Sequence, residues 1–268
     1  MPVLVYGMVR AGHPDPRDLP GVGGPAAPVR LVRSGQVAAA VSDVAGDTAG
    51  TESRDPDLAE VELRDTDAVG YLDVITALLP DGPVLPVRFG TVAPDDDSVR
   101  TEIIEPEHDL LTGRLDALDG LVEVKLDVVV DEDAGIRQAV AGDPHLRRLV
   151  ERSQTNGALD VRIGLGEEIS RALDARRGAL TDRVLTDLGA VAVSHVVRLP
   201  DDVTVARYAF LVPAARLADV DDAVRRLRAD LGDGYEIGYV GPLPAFDFID
   251  SIEDAPGPQE PAHGRWGW

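Results

Sequence analysis

The side chains best suited to chemistry in this sequence are few and scattered. Histidine occurs at 13, 108, 145, 195 and 263, each alone, with no HxH or HExxH pairing to hold a metal. His195 falls on a strand pattern with Val191, Val193 and Val197, where a buried imidazole would act as a base, with Arg207 on the neighbouring strand beside it. The commoner role of one isolated histidine is a hydrogen-bonded side chain on a sheet. Gly164-Leu165-Gly166 opens a long helical pattern, where free amides would meet a phosphate. The third glycine of a dinucleotide fingerprint is missing, and Glu167-Glu168 fill the first turn that an anion would need. Gly21-Val22-Gly23-Gly24-Pro25 lacks the lysine and serine of a P-loop. The acidic clusters at Asp95-Asp96-Asp97, Asp131-Glu132-Asp133, Asp201-Asp202 and Asp219 to Asp222 lack the alternation and distal glutamate of a calcium loop, and read as helix caps and turns. No GxSxG elbow occurs, and cysteine is absent, which removes disulfides, thiolate zinc sites and cysteine nucleophiles. The expectation is no catalytic residue, no cofactor, no metal site and no enzymatic activity.

The frame around these residues is acidic and globular. The chain has 268 residues, a formal charge of -22 and 44% hydrophobic residues, too many for a disordered polymer and enough for two modest domains. So negative a field repels phosphate backbones, so nucleic acid is not expected as a partner. Neither a basic leader with a long apolar run nor a bilayer-length segment is found, so a cytoplasmic protein without membrane contact is expected.

Periodicity then places the elements. Strands are predicted at Val3 to Val9, at Val29 to Arg33 and at Gln36 to Val41, the last two joined by a tight turn at Ser34-Gly35. His13 to Pro28 reads as a loop, and Asp43 to Asp57 as another. Ala68, Tyr71, Leu72, Ile75, Leu78 and Leu79 form one helical stripe, stopped by Pro80-Asp81-Gly82-Pro83. Val84 to Phe89 reads as a strand near an edge or a bulge because it contains Pro86. A helix from Val99 to Leu118 should be divided at Pro106. From Leu121 the order is strand, helices, strand, strand, helix, strand. The first of these strands alternates Val122, Val124, Leu126 and Val128 with Glu123, Lys125 and Asp127, a non-core face expected either to pack on the N-terminal domain or to meet a partner. On the long helix after it, Ile169, Leu173, Leu180, Val184 and Leu188 mark the buried side. The fold predicted is α+β with two domains, residues 1–119 and 120–252. The second is ferredoxin-like, a split βαβ antiparallel sheet with helices on one face. Residues 253–268 read as a disordered tail, although it carries Trp266 and Trp268.

Two segments carry more specification than packing demands. Leu85-Pro86-Val87-Arg88-Phe89-Gly90-Thr91 sets a proline before a cation in an apolar run and ends it with glycine. Tyr239-Val240-Gly241-Pro242-Leu243-Pro244-Ala245-Phe246-Asp247-Phe248 runs from a strand into an extended proline-bearing stretch. Together with Val5-Tyr6-Gly7, and in this order, they resemble the gas vesicle GvpF/GvpL family over about residues 2 to 250. Leu243 and Ala245 depart from it, standing where bulkier aromatics are often seen.

That resemblance implies an accessory or minor structural protein of gas vesicle assembly. It would bind the small hydrophobic shell protein and other accessory proteins, inside the cell and on the vesicle. The residues of the two segments, Pro86, Arg88, Phe89, Gly90, Thr91, Tyr239, Gly241, Pro242 and Phe246, become the candidate partner contacts. The competing reading is a ferredoxin-like small-molecule sensor or enzyme built on His195, Arg207 and the Gly164 turn.

Overall fold

The computed structural model describes residues 1–22, 24–44, 65–130, 132–155, 158–198, 204–231 and 235–249. The predicted loop at Asp43 to Asp57 and the tail at 253–268 therefore fall almost wholly or wholly outside the described residues. The chain divides into two compact units: residues 1–123 with 242 onward, and residues 124–241. The segment after Pro242 thus returns to the first unit, whereas the sequence reading kept it with the second.

The first unit is built on a sheet of order β4-β5-β1-β6. Its strands are β1 (Val3–Arg10), β4 (Arg30–Ser34), β5 (Val37–Asp43) and β6 (Leu85–Pro86). A further short strand, β7 (Val92–Ala93), also pairs with β1. The expected loop at 13–28 contains a small hairpin, β2 (Pro20–Gly21) with β3 (Gly24–Pro28), which proline and glycine content concealed. Hairpin β4–β5 turns at Gly35, whose φ of 57° is one that glycine adopts without strain. Both faces of β1 and β5 are buried. The Val37-Ala38-Ala39-Ala40-Val41 run is entirely inaccessible, and its small side chains let helices approach the sheet closely.

Register along β1 slips between Val5 and Gly7, so Tyr6 is an extra residue in a bulge. The slip changes the alternation: Leu4, Tyr6 and Val9 all join one core cluster, beneath α1 (Asp65–Leu78) with its Tyr71, Val74, Ile75 and Leu78. Asp95 caps the next helical stretch, α2 (Asp96–Ser98), by accepting from the Ser98 amide at 2.8 Å. It continues as a π-turn over Val99–Ile104, with Glu105 N donating to Arg100 O, before Pro106 breaks the helix as expected. Helix α3 (His108–Ala117) follows and buries Leu111 and Leu115.

The chain continues into β8 (Leu121–Val130), and the second unit carries a sheet of order β11-β8-β10-β9. Its other strands are β9 (Ser194–Arg198), β10 (Thr204–Pro213) and β11 (Tyr235–Leu243). Helices α4 (Glu132–Gly142), α5 (Pro144–Thr155) and α6 (Leu159–Gly189) lie between β8 and β9, and α7 (Leu217–Leu231) between β10 and β11. Leu180, Val184 and Leu188 of α6 are buried as expected, while Ile169 and Leu173 are only half-buried. Thr181 of α6 meets the Tyr208 hydroxyl at 3.0 Å, which places this helix on the Tyr208 face of β10.

Of the two expectations for the face carrying Glu123, cover or a partner, cover applies at Glu123 itself. Its side chain is wholly inaccessible, and an Oε atom accepts a 2.8 Å hydrogen bond from the Asp247 amide within the first unit. Leu121, Lys125, Asp127 and Val129 retain partial exposure on that side of β8. Alternation identified the strand, but it does not say which of two faces is covered.

Candidate functional site

The residues singled out around Pro86 form one wall of an apolar groove in the first unit. Gly7 of β1 pairs with Pro86, and a Cβ on Gly7 would stand only 2.8 Å from the Leu85 carbonyl oxygen. Glycine is therefore what admits β6 so close to β1. The expected strand at Val84 to Phe89 shrinks to Leu85–Pro86 because the missing proline N–H cannot extend the ladder. Val87 N still donates to Tyr6 O at 3.1 Å.

The chain then reverses over Arg88-Phe89-Gly90-Thr91. Gly90 takes φ 92°, the positive value that the third position of this turn requires, and Thr91 N donates to Arg88 O at 3.2 Å. Thr91 Oγ1 donates to the same carbonyl at 2.7 Å, while Val5 N donates to Thr91 O at 2.9 Å. Gly90 and Thr91 therefore shape and anchor the turn, which leaves Arg88 exposed and Phe89 half-buried at the surface.

The opposite wall is α1. Tyr71 stacks on Tyr6 with ring centroids 6.0 Å apart and meets Phe89 edge-on at 5.3 Å. Its hydroxyl donates to Val87 O, and burial raises its pKa far above the ordinary phenol value. Tyr6 is raised too, chiefly by burial, while its bonds with Ser42 Oγ at 2.7 Å and Val22 N at 2.8 Å act in the opposite direction. Between these walls opens a groove of about 370 Å³, lined by Ala68 and Leu72 of α1, by Pro86 to Phe89, and by Phe246 and Ile249 from the end of the described chain. Arg88 is the one charged lining residue. Leu72 is 43% exposed and Val69, next to it on α1, is 59% exposed.

Of the candidate contacts, Pro86, Arg88, Phe89 and Phe246 thus converge, although 157 positions separate the two phenylalanines (246 minus 89). Tyr239 and Gly241 do not join them, since both belong to the second unit. There Tyr239 is half-buried, its pKa pushed up to about 12 by burial and by the Asp221 carboxylate. Pro242 is exposed at the start of the returning segment. Leu72 and Ile249 were not foreseen as site residues. The signal for Leu72 was an apolar stripe on α1 wider than the core uses.

The residues considered for other chemistry are dispersed. His195 is exposed on β9 and pairs across the ladder with Phe210, at 6.2 Å between rings. Arg207 is an odd number of positions from Phe210, so it projects from the other face, where it lies 3.6 Å from Asp127. Gly164 and Gly166 sit within α6 rather than before it, so their amides belong to the helix ladder. Arg30 bridges Asp96 at 2.8 Å and Asp43 at 2.9 Å and ties down the Asp95 cluster. Among the described residues no group of three or more His, Asp or Glu is disposed to hold a metal ion, and no helix is long and apolar enough to cross a membrane.

Gas vesicle protein F of Streptomyces sp. (strain CB03234) is 31% identical over 255 residues, covering 93% of this chain and all of that protein. The crystal structure of GvpF from Anabaena sp. PCC7120 superposes with a TM-score of 0.74 at 18% identity, over 92% of this chain and 97% of that one. GvpF from Microcystis aeruginosa gives 0.70 at 20% identity, over 92% and 98%. At those identities the two structures establish a shared fold. The family model for gas vesicle synthesis protein GvpL/GvpF matches residues 2–250, and the chain belongs to that family.

Proposed function

We propose that this protein is a non-enzymatic accessory of gas vesicle assembly that holds an apolar segment of the shell protein in the groove of its first unit and meets other accessory proteins in the cell interior. The observation that carries the reading is the groove itself. Residues from three separated stretches of sequence converge there on an apolar, solvent-open trough with a single cation at its rim. Exposed Leu72 and Val69 extend its apolar surface along α1, and contiguous apolar surface of this kind marks interaction sites. A charge of -22 would keep a complex with an aggregation-prone client dispersed.

The two compact units support a two-domain reading with a boundary near residue 120. The order β11-β8-β10-β9, with helices after the first strand and before the last, supports a ferredoxin-like second domain.

Co-expression with the shell protein followed by affinity capture tests the reading. Wild-type protein should retain the shell protein. Leu72→Lys and Phe89→Ala should lose it, each read beside a melting curve so that unfolding is not mistaken for lost contact. No association with the wild type, together with normal vesicles in a deletion strain, would overturn it.

A further inference from the structure

The groove wall around Arg88 has already spent most of its backbone. Val87 N donates to Tyr6 O at 3.1 Å, and Val87 O accepts from the Tyr71 hydroxyl. Arg88 O accepts from both Thr91 N and Thr91 Oγ1, Thr91 O accepts from Val5 N, and Pro86 has no N–H to give. An extended peptide adding itself as a strand would find no ladder here. What the groove presents is side chains, apolar apart from one guanidinium, and these suit a segment that satisfies its own backbone. We infer that the groove takes an amphipathic helix of the shell protein that sets a carboxylate against Arg88. The inference rests on the groove being the shell-protein site and names the chemistry which that site selects.

Charge supplies the selection. Acidic residues outnumber basic ones 48 to 26, and arginines elsewhere are held by two carboxylates at once: Arg30 by Asp43 and Asp96, Arg183 by Asp187 and Asp230. Arg88 is exposed and makes no ion pair among the described residues. On the other wall, the exposed charge next to Leu72 is Asp73. A carboxylate on the partner is drawn to the Arg88 rim and repelled from the α1 rim, which fixes one orientation of the incoming helix. Seating the helix also sheds water from the guanidinium, so the pair gains more than an exposed surface bridge does. Shape favours the same occupant. Ala68 and Leu72 stand one turn apart on α1 and form a ridge of the kind that packs into the groove of a second helix.

Capture of co-expressed shell protein by full-length variants tests the pairing. Arg88→Glu should retain about tenfold less shell protein than wild type or lower still, the loss of a charge-assisted hydrogen bond. Arg88→Gln should fall between them and Arg88→Lys should stay near wild type, with all three melting as wild type does because Arg88 is exposed. Replacing the acidic residues of the shell protein one at a time by lysine should yield one variant that Arg88→Glu captures and wild type does not. Proline placed one turn from that position should abolish capture, as a helix interior requires. Arg88→Glu capture equal to wild type, or a loss that no shell-protein charge reversal restores, would overturn the carboxylate. Capture that tolerates the proline would overturn the helix. If Leu72→Lys abolishes capture while Arg88→Glu leaves it intact, the groove remains the binding site and only the pairing is lost. Capture that both variants leave intact removes the groove itself.

Discussion

The Tyr71 hydroxyl donates a buried hydrogen bond to the main-chain carbonyl of Val87, which fastens α1 to the opposite wall of the groove. Tyr71→Phe keeps the ring contacts with Tyr6 and Phe89 but strands that carbonyl. A buried group deprived of its partner costs about 1–3 kcal/mol. The urea midpoint should fall with an unchanged m-value, and capture of the shell protein should weaken because the groove walls loosen. An unaltered midpoint would show that water replaces the hydroxyl there.

Gly7 is the close-approach point between β1 and β6, so Gly7→Ala must drive the strands apart against a backbone oxygen 2.8 Å away. Overpacking of this kind costs about 1–3 kcal/mol. Gly12→Ala, whose Cβ meets nothing within 4 Å, is the matched control and should leave the melting temperature almost unchanged. Equal effects of the two substitutions would remove the steric argument.

Glu123 holds the returning segment through the Asp247 amide. Glu123→Ala removes the acceptor, whereas Glu123→Gln retains a carbonyl oxygen in nearly the same place. Hydrogen exchange at the Asp247 amide should therefore accelerate strongly in the alanine variant and modestly in the glutamine variant. The alanine loss should be about 1–3 kcal/mol, as for other buried groups left without a partner. Exchange that is equally slow in both would show that the amide is protected some other way.

Alkaline pH should destabilise the fold. Burial raises the pKa of Tyr6, Tyr71 and Tyr208 above the ordinary 10.0, and with Asp221 it takes Tyr239 to about 12. Above about pH 10 the unfolded chain has released phenolic protons that the native state still holds, so unfolding sheds protons and stability falls as pH rises. Below that range the contribution is complete and independent of pH. The urea midpoint should hold steady near about pH 8 and drop by about pH 11, with Tyr71→Phe reducing the drop. A flat profile across that interval would contradict the burial of these rings.

The period-two run through β8, the α1 stripe and the break at Pro106 were legible because each depends on residues close in sequence, where side-chain direction follows from backbone geometry. The family segments were legible too, as motifs whose reason lay elsewhere. What periodicity leaves open is which faces become covered. Glu123 sits in an alternation that assigns it to a polar side, yet it is buried because the chain end returns to it. Leu72 belongs to a stripe that reads as core, yet it lines an open groove because Tyr71, Val74, Ile75 and Leu78 already fill the contact with the sheet. The groove exists only once Phe246 has crossed back to Phe89, and no local pattern encodes a contact across that separation. Local sterics and spacing settled the elements, and long-range packing settled the surface they present.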